Sequence, residues 1–210
     1  MKVPVAVLVS GRGSNLQAIL DAAADPTYPA AISVVISNVT GALALDRAAA
    51  AGVATAVVVS KGRSRETFED ELLGVVGDAH WVCLAGFMRV LTPRFLDRFP
   101  HRVLNVHPAL LPAFPGAHGV AETLAYGATV AGATVHLVDA GVDTGPILCQ
   151  GTVGVRDTDT TESLAARVLT LEHRLYPLAL RWCVEGRVRV EGRRARVELR
   201  PGEQRWLTGD

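Results

Sequence analysis

Two hydrophobic periods take turns along this chain. Residues 3–9 (VPVAVLV) are almost continuously apolar over strand length, as expected of a strand covered on both faces. They end in SGRGSN, after which LQAILDAAA has the spacing of a helix. Residues 31–37 repeat the strand pattern, 41–51 read as a second helix closed at Gly52, and 54–59 as a third strand. SKGRSRETFEDELL then starts a helix near Ser64 or Thr67-Phe68, and 81–85 (WVCLA) form a fourth strand. The loop 86–93, a short helix over 94–99 and an apolar strand over 102–106 follow.

Beyond that strand the pattern changes. Three prolines and two glycines hold residues 108–119 in a fixed, non-repetitive loop. Residues 120–126 read as helix, and 132–138 (GATVHLV) alternate as a strand carrying His136. A glycine-rich turn, DAGVDTGP, separates it from a strand over 147–155, so the two are expected to run antiparallel. The longest helical pattern covers 160–185, with Thr160 or Thr161 as cap, Glu162 in the first turn and at most a bend at Pro177. An arginine-rich tail alternates charge with apolar residues around Gly192, which predicts a terminal hairpin with a solvated face, a functional basic patch being the alternative. Strands alternating with helices predict a Rossmann-like α/β fold: an open, mostly parallel sheet with helices on both faces and antiparallel strands at the C-terminal edge. Ligands of such sheets sit at the carboxyl ends of the strands, which puts the SGRGSN turn, the 86–93 loop and the end of strand 102–106 along one edge.

Composition narrows the class. Lys+Arg and Asp+Glu both number 21 among 210 residues, so no overall field favours nucleic acid or an anionic membrane. Cys83, Cys149 and Cys183 are odd in number and lie in apolar contexts, which predicts buried free thiols in a reducing compartment and neither disulfides nor a zinc site. No uncharged apolar run reaches the roughly 18 residues of a membrane helix, and the N-terminus lacks a signal-peptide pattern. A cytoplasmic protein is the expectation.

Three residues carry candidate chemistry. Asn105 is polar within an apolar strand, and His107 follows two residues later, so both project to one face. Asp143, in the D-x-G-P turn, has an ordinary reading as a turn residue; beside His107 it would favour and orient the imidazolium. Amide donor, titratable donor and charge partner suit group transfer through a tetrahedral oxyanion. No serine or cysteine lies in a nucleophile context. The SGRGSN turn exposes backbone N–H groups at a helix start, where Ser14 or Asn15 can cap. The third glycine of a dinucleotide fingerprint would fall at Leu16, so a phosphate on a small ligand fits better.

In order and spacing, SGRGSNLQAI, the SRE at 64–66, AGFMRVLTP, LNVHPALLPAFPGAH, GATVHLV, DTGPIL and LEHRLYP resemble the glycinamide ribonucleotide formyltransferases of purine biosynthesis, from about residue 5 to about 190. HPALLP and D-x-G-P belong to the wider folate-dependent formyltransferase group; SGRGSN with LEHRLYP narrows the match. The resemblance implies that Gly13, Ser14 and Asn15 hold the substrate phosphate and that Glu172 contacts its ribose-glycinamide part. It implies a pterin pocket of Met88, Arg89, Val90 and Leu91 with Ala140, Gly141, Val142 and Asp143, and Arg65 near the folate. Asn105, lining that pocket as well, His107 and Asp143 would be catalytic. One departure is visible: many relatives carry a second histidine two positions after the one matching His118, where this chain has Val120.

The implied reaction moves a formyl group from 10-formyltetrahydrofolate, a co-substrate, to the amine of glycinamide ribonucleotide, without a metal. The implied organisation is one domain over 1–210, with a phosphate-binding half at about 1–100, a folate and catalytic half at about 101–190, and the hairpin at about 187–200. Small molecules would be the only partners, with no nucleic acid or membrane, for a monomer or homodimer. Water as acceptor (a formyltetrahydrofolate deformylase) or another amine are the alternatives, together with a catalytically silent phosphometabolite-binding module. Relatives acting on those acceptors usually carry an extra domain.

Overall fold

The computed structural model describes residues 1–209. It divides into two compact units, one ending at Asn105 and the other beginning at Val106.

The first unit is a parallel sheet built from strand–helix repeats. Its elements are β1 (Val3–Val9), α1 (Ser14–Ala24), β2 (Ala30–Ser37), α2 (Leu43–Ala50), β3 (Thr55–Val57), α3 (Arg65–Val76), β4 (Trp81–Leu84) and α4 (Pro93–Leu96), and it ends inside β5 (Val103–His107). The strands lie in the order β3-β2-β1-β4-β5, every neighbouring pair parallel. Residues Val5 to Val9 are wholly inaccessible, which explains the unbroken apolar run of β1. Each valine and leucine among them contributes on the order of 1.5–3 kcal/mol by leaving water. At the sheet edge β3 keeps only three residues, with Val57 and Val59 about 40% exposed, so the strand expected over 54–59 is cut short where one face has no cover. The helix expected over 94–99 is likewise one turn, opened by Pro93.

The second unit is mixed. It contains α5 (Gly119–Tyr126), β6 (Val130–Leu137), β7 (Ile147–Gly154), α6 (Thr161–Val184), β8 (Val188–Glu191), β9 (Arg194–Val197) and β10 (Trp206–Thr208). β6 and β7 pair antiparallel, with an irregularity between Val135 and His136. α6 begins in a capping box: the Thr160 side chain accepts from the Ser163 amide, and the Ser163 side chain accepts from the Thr160 amide. β8 and β9 form the terminal hairpin as a separate two-stranded sheet. β10 was not legible in the sequence; it runs parallel to β7, with Trp206 opposite Gln150. Arg187, 7% exposed, anchors this tail through Glu185, Glu203 and the Glu198 carbonyl. All three cysteines are free and buried, and burial pushes the Cys149 thiol up to about 12.

Candidate active site

In the first unit, three sequence-predicted pieces meet at the carboxyl ends of adjacent strands. β1 leads into the SGRGSN turn, β4 into the 86–92 loop, and Asn105 on β5 pairs with Leu84, the last residue of β4. The Ser10 hydroxyl joins the first two: it accepts from the Met88 amide at 2.9 Å and donates to Asn38 Oδ1 at 2.6 Å. Asn38 in turn donates to Ser60 at 3.0 Å. Sequence reading assigned no role to Ser10, because a serine before a glycine turn looks like turn chemistry alone.

The turn differs from expectation in its cap. Neither Ser14 nor Asn15 caps α1; the N-cap is Gly13, in the left-handed region at φ 76°, with no side-chain cap bond. A Cβ on Gly13 would stand 2.6 Å from Ala44 Cβ and 2.8 Å from its Cα, so α2 packs directly on the turn. Ala44 N–H donates to the Gly11 carbonyl, and Arg47 Nε donates to that of Arg12. The result is a rigid helix start whose first-turn amides are not taken by a capping side chain, the setting in which a small anion is favoured. Ser14 is the first helical residue and Asn15 is buried behind it.

In the 86–92 loop Met88 is 75% and Val90 48% exposed, whereas Leu91 is buried. Arg89 stands over the Phe68 ring at 5.5 Å. The loop ends at Thr92, whose amide donates to the buried Glu69 carboxylate at 2.7 Å. Arg65, the first residue of α3, is exposed.

The second unit assembles around Asp143. His107 Nδ1 lies 3.3 Å from Asp143 Oδ2, and both side chains are nearly inaccessible. The other imidazole nitrogen, Nε2, is 2.7 Å from the Phe114 carbonyl. Both neighbours are acceptors, so donation to both is open only to the imidazolium. The Gly116 amide donates to Asp143 Oδ2 at 2.8 Å. The proline loop therefore closes on the pair twice, through Phe114 and through Gly116. Its start is held by Thr134, which donates to the Ala109 carbonyl and accepts from the Leu111 amide, and by Gln150, which donates to Leu111.

Asp143 is not the residue that makes its own turn. Asp139 does that, accepting from the Gly141 amide and the Thr144 hydroxyl. Gly145 folds the turn onto β6 so tightly that a Cβ there would fall 1.8 Å from the Leu137 carbonyl oxygen. Asp143 itself sits at φ 54°, a conformation aspartate tolerates better than most residues. A second imidazole, absent from the predicted site, faces it: His136 Nε2 is 3.5 Å from Asp143 Oδ1. Burial pushes the Asp143 carboxyl up, but the hydrogen bond from His136, the Gly116 amide and the positive imidazoles outweigh it and hold the carboxyl below its usual value.

The remaining predicted residues fall as follows. Ala140, Gly141 and Val142 form the exposed crest of the turn or its approach, with Val142 50% exposed. Glu172 is buried on α6 near Val168, Leu175 and Tyr176. His118 precedes α5 and is exposed, whereas Val120 is buried in the core, so the position matching a second histidine in many relatives is occupied by packing.

Residues 3–180 match the formyl transferase family model. A phosphoribosylglycinamide formyltransferase of Mycobacterium tuberculosis is 47% identical over 192 residues, covering 90% of this chain and 88% of that protein. The trifunctional purine biosynthetic protein adenosine-3 of Drosophila pseudoobscura pseudoobscura is 45% identical over 88% of this chain, which spans only 14% of that protein. A crystal structure of glycinamide ribonucleotide transformylase 1 from Symbiobacterium toebii superposes with a TM-score of 0.90 at 46% identity, covering 93% of this chain and 94% of that one. With a match spanning strand, proline loop and D-x-G-P turn alike, the chain belongs to the formyl transferase family.

Proposed function

We propose that this protein transfers the formyl group of 10-formyltetrahydrofolate to the amine of glycinamide ribonucleotide, a step of de novo purine biosynthesis. The observation that carries the reading is the His107–Asp143 pair, with His107 two residues after Asn105 on one strand, in a chain that covers 88% of a phosphoribosylglycinamide formyltransferase.

In this reading the substrate amine attacks the formyl carbon directly. A C–N bond forms to the substrate, the bond from carbon to the folate nitrogen breaks, and one proton passes from the attacking amine to the leaving nitrogen. The Asn105 amide and the His107 imidazolium donate to the oxyanion of the tetrahedral intermediate. Asp143 faces the imidazole at 3.3 Å and orients it. Donation to the oxyanion by His107 Nε2 competes with its 2.7 Å hydrogen bond to the Phe114 carbonyl.

The α1 start, with Gly13, Ser14 and Asn15, holds the substrate phosphate, and Glu172 its ribose-glycinamide part. Met88, Arg89, Val90 and Leu91 with Ala140, Gly141, Val142 and Asp143 take the folate, Arg65 lying toward its outer end. Leu91, being buried, contributes backbone. The protein works on small molecules in the cytoplasm, as monomer or homodimer, without nucleic acid or membrane. Turnover with glycinamide ribonucleotide present and absent tests the reading. Deformylation at the same rate without the amine would overturn it in favour of water as acceptor.

A further inference from the structure

The arginine-rich tail does not end as a plain solvated face. Arg193, Arg194 and Arg196, on and beside β9, line with Arg205 a cleft of about 440 Å3 in the second unit, together with Gly145 and Ile147. Elsewhere in this tail Arg187 pairs with Glu185 and Glu203 and Arg200 with Glu185, and within the cleft Arg196 pairs with Glu191. Among the described residues no ion pair includes Arg193, Arg194 or Arg205.

Two of those three are nevertheless fixed. Arg205 donates to the Leu148 and Ile147 carbonyls at 2.7 and 2.6 Å, and Arg193 donates to the Thr144 carbonyl at 3.1 Å. Backbone acceptors orient these guanidinium groups without neutralising them. Four arginines line one concavity, and among the described residues only Arg196 of them has a carboxylate partner, so their guanidinium groups repel one another. A bound anion relieves that repulsion.

We propose that this cleft binds a small, multiply charged oxyanion of the phosphate or carboxylate class. The planar forks of Arg193, Arg194 and Arg205 suit bidentate contact with either. It adjoins the turn that carries Asp143, through the hydrogen bond from Arg193 to the Thr144 carbonyl.

Calorimetric titration of the full chain at constant ionic strength, with pyrophosphate in one arm and citrate in the other, tests the site and separates its two candidate chemistries. Saturable binding of at least one is expected. Arg194→Ala, at an exposed position, should weaken it roughly tenfold, the worth of one charged hydrogen bond, while leaving the melting temperature of the free protein unchanged. Arg194→Lys should fall between the two, since it keeps the charge and loses the fork. Glu191→Gln, which frees Arg196, should tighten binding severalfold. Absence of saturable binding by both anions overturns the proposal. So does binding that neither Arg194→Ala nor Glu191→Gln alters, which would belong to another anion site such as the α1 start.

Discussion

His136 and His107 approach different oxygens of one carboxylate: His136 Nε2 stands 3.5 Å from Asp143 Oδ1, and His107 Nδ1 stands 3.3 Å from Asp143 Oδ2. His136 is itself held by its Nδ1, which donates to the Leu137 carbonyl at 2.9 Å. A carboxylate gripped at both oxygens cannot rotate, so His136 positions Asp143 for His107. His136→Asn is expected to lower kcat roughly tenfold, about the worth of one charge-assisted hydrogen bond, with KM for both substrates little changed. The Asp143 carboxyl should titrate closer to its ordinary value in the variant. Steady-state kinetics with carboxyl NMR would show both; unchanged kcat and an unmoved carboxyl would leave His136 as packing.

The same grip predicts an acid-side signature. Asp143 is depressed in the folded protein, so its contribution to stability is fully present above the unfolded value of about 3.9 and fades as pH falls through the lower folded value. Asp143→Asn lacks that contribution. Urea unfolding of wild type and variant should give a stability difference at pH 6 that shrinks by pH 3. A constant difference would mean that the charge itself adds nothing. Turnover of the variant should fall steeply at neutral pH, because the imidazolium loses its partner.

Asn105 lies on the β5 face that leads to His107, partly exposed within an otherwise buried strand. Asn105→Ala is expected to cost roughly 10²–10³ in kcat, the usual loss for one oxyanion donor, with the fold intact by circular dichroism. Unchanged turnover would remove Asn105 from the mechanism.

At the α1 start, Gly13 and Ser14 call for opposite expectations. Gly13→Ala should destabilise the protein by roughly 1–3 kcal/mol, through its positive φ and the clash with the Ala44 backbone. It therefore reports on folding and not on ligand binding. Ser14→Ala removes no cap and should leave thermal stability unchanged. It should raise KM for the ribonucleotide severalfold and leave KM for the folate alone. An equal rise in both would mean that the turn does not hold the phosphate.

Much of this was legible before any coordinates. The strands of the first unit are short apolar runs alternating with helical patterns, which is what predicts a mostly parallel sheet, whereas their order is seen only in the structure. Asn105 and His107 share a face because strand geometry is local. His136 was missed although its signal was present: a histidine in the alternating strand GATVHLV, buried at 2%, needs a polar partner. β10 gave no comparable signal, since three residues after a Pro-Gly turn become a strand only because β7 offers a free edge. The capping role expected of Ser14 or Asn15 failed because Gly13, admitted by its positive φ, took the position.

By itself, then, the sequence determined what depends on neighbours along the chain: the strand and helix periods, the i, i+2 pair on β5, the rigid proline loop and the turn that ends in Asp143. Tertiary structure alone decided which groups far apart in sequence share hydrogen bonds. Phe114 and Gly116 close on His107 and Asp143, Ser10 joins its turn to Met88, and four arginines from two separate stretches line one cleft. The physical reason is range. Periodicity reports burial of a residue among its neighbours, whereas a carboxylate's partners depend on which loops packing brings within about 3 Å of it.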